Sequence, residues 1–191
     1  MCLISFLDLI VWWICSIIYK GEVRRMTDRT SGGQQKLEAH VAKTLQENNI
    51  QQKDLINGMM QADDAGCCFA DKTITFAFPV QPWQANRAGH LHGGIICTAF
   101  DITIAALARF FAGKNYAPTI SLDVKFIRPV KVGDRMLVTA KAVATGRRIT
   151  QLTCEAYSEQ TGKLVASGAS VYMNVDTTKE HQNSEQDPSD Q

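Results

Sequence analysis

Residues 92–111, HGGIICTAFDITIAALARFF, decide the fold of this chain. After the two glycines the stretch is apolar on every side of a helical wheel, apart from a few threonines, Asp101 and Arg109, which is typical of a helix buried within a domain. Gly113 can adopt a positive φ just beyond the last turn, and Arg109 and Lys114 lie near the negative end of the helix dipole. The pattern predicts a core helix that ends before Gly113.

Two polar features make this helix a candidate site. Asp101 lies within the apolar run, where a charged carboxylate is costly unless it is hydrogen-bonded or takes part in chemistry. A core aspartate satisfied by threonine or backbone donors is the alternative. His92-Gly93-Gly94 leaves the first helical N–H groups without covering side chains, so that they can hold an oxyanion. A plain Gly-Gly turn is the alternative there.

The spacing of Gly93 and Asp101 predicts an oligomer. The two residues are eight positions apart, which separates them by about 12 Å along a helix axis. A carbonyl oxygen held by one group and a water held by the other require about 6 to 7 Å. If both groups act on one substrate, the carboxylate must come from an adjacent antiparallel copy of the helix, in a two-fold dimer with composite sites.

Beyond the helix the apolar residues change from a period of 3.6 to a period of two. This pattern predicts strands over 119–127, 135–145, 149–158 and 164–175. The last of them alternates through Val165, Ser167, Ala169, Val171, Met173 and Val175. One further strand is predicted before the helix, over 66–80. Short turns between consecutive strands indicate an antiparallel sheet, and one long helix can share a core with about five strands only if the sheet curls around it.

Three segments together resemble a known family. The string NRAGHLHGG at 86–94, Asp101, and TISLDVKFIRPVKVGD at 119–134 are similar to the PaaI-type acyl-CoA thioesterases of the hotdog superfamily. The resemblance extends over roughly residues 66–175. It implies an α+β hotdog fold, with an antiparallel sheet of five to six strands around one long central helix. It also implies hydrolysis of an aryl- or fatty acyl-CoA, with no metal or redox cofactor.

The resemblance implies a role for each catalytic residue. Asn86 and the Gly93 amide polarise the thioester carbonyl, and Asp101 of a partner subunit activates the attacking water or attacks directly. Thr119 falls where the family has an assisting hydroxyl. Ser121 is the alternative, because it lies two residues further along and a regular strand would place it on the same face.

Other polar residues are predicted to bind the substrate or shape the site. His92 is expected to fix the turn before Gly93, and His92 and Gly94 are expected to lie against the substrate. The candidate ligands of the coenzyme A phosphates are Lys125, Arg128, Arg147 and Arg148. A solvated sheet rim is the alternative for these charges. His90 and His92 form an H-x-H pair, but no acidic or cysteine partner is spaced to complete a metal site.

Composition fits a single domain with flanking segments. The 191 residues have a net charge of +1 and are 45% hydrophobic, a balance that gives no sign of nucleic-acid binding. The six cysteines show no CxxC spacing, which favours a reducing cytoplasm over a disulfide framework or a zinc site.

The N-terminal segment, residues 1–25, contains an apolar run over 2–19 that just reaches membrane-spanning length. It is interpreted as a membrane anchor that leaves the domain in the cytoplasm, as an interfacial helix, or as the product of a start codon set upstream of the true start at Met26. Association with a membrane is expected only if residues 2–19 are a real anchor.

Three further regions follow. Residues 26–65 are predicted to be helical, with an amphipathic pair of helices over 35–61 that covers the core or forms a lid over the acyl channel. Residues 66–175 form the hotdog domain. The acidic segment 176–191 has almost no apolar residues and is predicted to be disordered.

Two other functions stay open. A hotdog protein can bind acyl-CoA without cleaving it. A hydratase acting on enoyl-CoA would need an aspartate and a histidine a few residues apart, and no histidine follows Asp101 before His181. The carboxylate of Asp101 favours the thioesterase, which is expected to act on an acyl-CoA as a homodimer or homotetramer.

Overall fold

The computed structural model describes residues 31–176. The predictions for 1–25, for a start at Met26 and for 177–191 lie outside these residues. In chain order the elements are α1 (31–46), a π-helical turn (Glu47–Gln51), α2 (Ile56–Met59), β1 (Asp63–Cys68), β2 (Thr73–Pro79), a 3-10 turn (Pro82–Gln84), α3 (Gly93–Ala112), β3 (Thr119–Phe126), β4 (Arg135–Thr145), β5 (Ile149–Ser158) and β6 (Leu164–Met173).

The predicted core helix is confirmed as α3. It begins at Gly93 because His92 has an extended backbone and its ring accepts a hydrogen bond from the Gly94 amide, and it ends at Gly113, which has a φ of 67°. Ten of its 20 residues are buried. Its length and hydropathy would suffice to cross a membrane, but the helix packs against strands β2 to β6 and forms the core of the domain.

The sheet has six antiparallel strands in the order β1-β2-β4-β5-β6-β3. Residues of five of these strands contact α3. In β4 and β5, buried residues alternate with half-buried or exposed ones until β4 becomes fully exposed at its end, so each strand buries one face against the helix. The architecture is the expected α+β hotdog arrangement. Because β3 follows the helix in sequence but pairs only with β6, it lies at one edge of the described sheet.

The single strand predicted over 66–80 is wrong. The chain forms two strands, β1 and β2, joined by a turn in which the Lys72 amide donates to the Phe69 carbonyl and Lys72 has a φ of 55°. The sheet therefore starts at Asp63, within the region predicted to be helical. Strand β1 has no alternating apolar residues because most of it is exposed, and Gly66 interrupts its pairing with a φ of 119°.

The predicted alternation of β6 has the opposite phase in the structure. The inward residues are Ala166, Gly168, Ser170 and Tyr172, whereas Ala169 and Met173 are exposed. Small inward residues are required because α3 passes close to the strand. A Cβ on Gly168 would lie 3.1 Å from the Phe100 ring and would collide with the Asp123 carbonyl. Of the two valines of β6, Val165 is buried and Val171 is half-exposed, so they do not indicate the inward face.

The predicted helix pair over 35–61 is only half correct. In α1, Leu37 and Val41 are fully buried, and the ring of His40 is hydrogen-bonded to the Ala106 carbonyl of α3 at 2.8 Å. The second helix is reduced to the four residues of α2, and the turn before it is held by the Asn49 side chain, which donates to the Ala62 carbonyl. Of the second apolar stripe only Met60 is buried. One helix covers the core.

Candidate active site

The loop before α3 holds Asn86 through its own side chain. The Asn86 Oδ1 atom accepts the Ala88 amide at 2.9 Å and the His90 amide at 3.2 Å, and the Asn86 amide donates to the His90 carbonyl at 2.7 Å. This is an Asx turn closed by a backbone bond. Within the part of the chain that the structure describes, Nδ2 of Asn86 has no partner, so this group remains available as a donor.

The start of α3 supplies a second free donor. His92 accepts the Gly94 amide at Nδ1, at 3.0 Å, and its carbonyl accepts the amides of Ile95 and Ile96. The Gly93 N–H makes no hydrogen bond to any residue between 31 and 176. His92 therefore fixes the turn, as predicted, and the Gly94 amide is already occupied. Of the amides of this turn, only the Gly93 N–H is left without a partner among residues 31–176.

Asn86 and Gly93 line one cleft of about 330 Å³. His90, Phe126 and Arg128 line it too. The ring of Phe126 lies against Gly93, since a Cβ on that glycine would come within 3.3 Å of it. The cleft brings together two unpaired N–H donors, an aromatic surface and a cation, a combination that can bind a carbonyl oxygen and an anion.

Asp101 lies on the half-exposed side of α3 and is held by two hydroxyls. Its Oδ1 atom accepts the Thr119 hydroxyl at 3.0 Å and the Tyr172 hydroxyl at 2.7 Å. No hydrogen bond reaches Oδ2 from residues 31–176. Burial raises the pKa of the Tyr172 phenol well above its usual range; Thr119 opposes this effect, and the hydrogen bond to Asp101 adds to it. Tyr172 is therefore a protonated donor.

A β-bulge in β3 brings Thr119 to this carboxylate. Thr119 is paired with Tyr172, whereas Ser121 is paired with Val171, so Ile120 is an extra residue without a partner. Directly paired residues point to the same face of a sheet, and therefore Thr119 faces α3 with Tyr172 while Ser121 faces outward. The expectation that both hydroxyls share a face is wrong, because it assumed a regular strand.

The four predicted basic residues lie in three places. Arg128 lines the Asn86–Gly93 cleft and donates to the Leu164 carbonyl at 2.9 Å. Lys125 lies on the outer face of the sheet, paired with Asp123 at 2.9 Å, and does not reach the cleft. Arg147 and Arg148 form the exposed β4–β5 turn, next to Ile149, which is paired with Met173. They therefore lie at the Thr119 end of the sheet.

Gly93 and Asp101 face different surroundings. Gly93 lies beside Phe126 at the last residue of β3, and Asp101 is bonded to Thr119 at its first residue. A single copy of the chain thus carries two half-sites at opposite ends of one edge strand. Among residues 31–176, no group of three or more His, Cys, Asp or Glu side chains could hold a metal ion.

Tyr172 is the site residue that sequence reasoning missed. Its position falls between the residues of the predicted alternation in β6, which runs through Val171 and Met173. A signal was present in the even positions, where Ala166, Gly168 and Ser170 are small and are followed by one large residue with a hydroxyl. A buried tyrosine hydroxyl usually has a hydrogen-bond partner, and the nearest helix offers Asp101.

Comparisons with known proteins show which family the chain resembles. Residues 88–165 match the family model described as Thioesterase superfamily. Human acyl-coenzyme A thioesterase 13 is 30% identical over 126 residues, which cover 61% of this chain and 89% of that protein. The mouse protein of the same name is 30% identical over 101 residues, which cover 52% of this chain and 71% of that protein.

Solved structures share the hotdog fold. The PaaI protein from the phenylacetic acid degradation operon of E. coli superposes with a TM-score of 0.59 at 17% identity, over 70% of this chain and 95% of that one. Zebra fish thioesterase superfamily member 2 superposes with a TM-score of 0.60 at 19% identity, again over 70% and 95%.

Proposed function

The chain belongs to the thioesterase superfamily, and we propose that it hydrolyses the thioester of an aryl- or fatty acyl-CoA at a site shared by two copies of the chain. Its relatives named acyl-coenzyme A thioesterase support the reaction. The observation that carries the shared site is the position of two incomplete half-sites at opposite ends of one unpaired edge strand.

The open edge of β3 is suited to pair with a second copy. Ile120, Phe126 and Ile127 are between 43% and 57% exposed there, and an exposed edge with apolar side chains favours pairing. The other edge, β1, is interrupted at Gly66 and carries Asp63 and Asp64, features that discourage pairing. We therefore infer that copies associate through β3.

An antiparallel pairing of β3 with itself completes the site. A two-fold axis between Leu122 and Asp123 places the Thr119 end of one strand opposite the Phe126 end of the other. Asp101 of one copy then approaches Asn86 and Gly93 of its partner. On the helical face of α3 that contains Asp101, the positions outside the core are Gly94, which is exposed, and Thr98, Asp101 and Ala105, which are half-exposed. Their small side chains allow two helices to come close.

The chemistry follows from the groups that each copy contributes. Asn86 Nδ2 and the Gly93 N–H donate to the thioester carbonyl oxygen and stabilise the oxyanion that forms on it. Oδ2 of Asp101 from the other copy accepts a proton from the attacking water, whose oxygen bonds to the carbonyl carbon. Collapse of the tetrahedral intermediate breaks the C–S bond. The proton on Asp101 then passes to the departing coenzyme A thiolate, which leaves a free acid and a thiol.

We assign the binding of the coenzyme A phosphates to arginines of both copies. Arg128 comes from the copy that supplies Gly93, because both residues line the same cleft. Arg147 and Arg148 come from the copy that supplies Asp101, because their turn lies at that end of the sheet. Guanidinium groups bind phosphate bidentately, which suits this role.

Thiol release from a panel of aryl- and fatty acyl-CoAs tests the reaction and identifies the acyl group.

A mixing experiment tests the shared site. Asp101→Asn and Asn86→Asp are each expected to be nearly inactive, but a mixture allowed to exchange subunits should regain about one quarter of wild-type activity, since half of the dimers are mixed and each has one intact site of two. A site formed within one chain would leave the mixture inactive. Absence of thiol release with every substrate would indicate a protein that only binds acyl-CoA.

A further inference from the structure

We propose that Tyr172 is a positioning residue, which with Thr119 holds one oxygen of the Asp101 carboxylate so that the other is presented to the attacking water. The inference rests on the proposed function of Asp101. It assigns Thr119 to the same task, in place of an independent assisting hydroxyl.

Tyr172 has little freedom to do anything else with its hydroxyl. The side chain is only 1% exposed, and a buried hydroxyl without a partner is costly. Its oxygen lies 2.7 Å from Asp101 Oδ1 and 3.5 Å from the Asp101 carbonyl oxygen. The short bond to the carboxylate is the strong one, because a charged acceptor shortens and strengthens a hydrogen bond.

The phenol acts as a donor and does not transfer the proton. Burial, with the neighbouring carboxylate, keeps its pKa above the usual range, so the phenol stays protonated at neutral pH. The Asp101 carboxylate is therefore the acceptor of this hydrogen bond, and Tyr172 is the donor. The base in the reaction remains the carboxylate.

The two anchors restrict rotation of the carboxylate. Thr119 and Tyr172 are cross-strand neighbours in β3 and β6, while Asp101 is on α3, so three elements meet at Oδ1. Rotation about the Cβ–Cγ bond would break both hydrogen bonds at once. Oδ2, which accepts nothing from residues 31–176, is consequently held in one direction. A displacement of about 1 Å in a reacting group can cost about 100-fold in rate.

The bulge at Ile120 supports this assignment. It is the feature that turns Thr119 toward α3, next to Tyr172, and bulges near active sites commonly redirect a side chain. Without it, Ile120 would lie opposite Tyr172 and Oδ1 would have a single donor. Both the strand irregularity and the inward tyrosine thus serve the same carboxylate oxygen.

The test is Tyr172→Phe, which removes one oxygen atom and keeps the ring. We expect kcat for thiol release to fall about 10- to 100-fold while KM changes less than about 2-fold, because the substrate contacts remain. Thr119→Val should lower kcat in the same way, and Thr119→Ser should retain it. The matched control is Tyr157→Phe, which removes the hydroxyl of another strand tyrosine that donates to the Glu155 carboxylate at 3.0 Å and should leave kcat unchanged.

The decisive measurement compares the effect of Tyr172→Phe in the wild-type protein with its effect in an Asp101→Asn protein. In an Asp101→Asn protein, Tyr172→Phe should cause no further loss of the residual rate, because there is no base left to orient. An equal fold-loss in both backgrounds, an effect on KM alone, or an unchanged kcat would overturn the positioning role. Failure of the proposed function would look different: wild-type protein would release no thiol, or Asp101→Asn would keep full activity.

Discussion

The two ends of β3 carry half-sites built in different ways. At the Phe126 end the donors are the Gly93 amide and the Asn86 side chain. The side chains of Asn86 and His92 shape this loop through bonds to residues at most four positions away, although the Leu91 amide also joins it to the Val130 carbonyl. At the Thr119 end the acid is held by residues that lie 18 and 71 positions away in the chain. A donor fixed by a turn can lie in an exposed loop, whereas a carboxylate with a defined direction needs support from a packed interior.

The largest fall in kcat should come from a substitution of Asp101, at the Thr119 end of β3. Asp101→Asn keeps the acceptor for Tyr172 and Thr119 but removes the base, and kcat should fall about 100- to 10,000-fold. Thiol release measures the loss, and sedimentation should show the same oligomer as the wild type. Unchanged hydrolysis would remove the role of Asp101 and with it the contrast between the two ends.

The next largest fall in kcat should come from a substitution of Asn86, in the loop at the Phe126 end of β3. Asn86→Asp retains an oxygen for the Ala88 and His90 amides but removes the Nδ2 donor, so kcat should fall about 100- to 1,000-fold with little change in melting temperature. Asn86→Ala should lose the loop bonds as well and should melt earlier. If both variants lost stability equally and activity only slightly, Asn86 would be a turn residue alone.

The contrast also predicts which cations matter. Arg128→Ala should raise KM for acyl-CoA about 5- to 10-fold, because the guanidinium lines the cleft. Lys125→Ala is the matched control on the opposite face of the sheet, and initial-rate kinetics should show no change. An equal rise in KM for both variants would contradict the assignment of the phosphates to the cleft.

The smallest effect on turnover should come from His92→Ala. The variant loses the acceptor for the Gly94 amide, which should lower the free energy of unfolding by about 1 kcal/mol, a typical cost for a lost N-cap. Chemical denaturation measures this change, and kcat should fall only a few-fold as the Gly93 turn loosens. A loss of kcat as large as that of Asp101→Asn would instead make His92 a general base.

The loop half-site could be predicted because the side-chain bonds that shape it are local. The spacing of Asn86 and Gly93, and the capping role of His92, follow from a few adjacent residues. Asp101 was visible as a charge in an apolar helix. Tyr172 was not, because its inward position depends on how closely α3 approaches Gly168, and the face of Thr119 depends on the unpaired Ile120. Those facts arise from packing between distant segments, which a periodicity cannot encode.

The same limit explains the errors in the rest of the fold. The regular strands β4 and β5 have the predicted bounds, since each buries one face and exposes the other. Strand β1 was not predicted because it is exposed and interrupted at Gly66. The second predicted helix shrinks to the four residues of α2, since Leu55 and Met59 are apolar yet remain exposed.

The unpaired Ile120 has a consequence for how such a site changes over evolutionary time. Which side chain of β3 faces the acid depends on the count of residues between two fixed pairs, not on the identity of any one of them. A gain or loss of a single codon there can exchange the inward group while every other amino acid is conserved. In an alignment with a protein that lacks the extra residue, a gap is needed at Ile120 to place the correct hydroxyl opposite the acid.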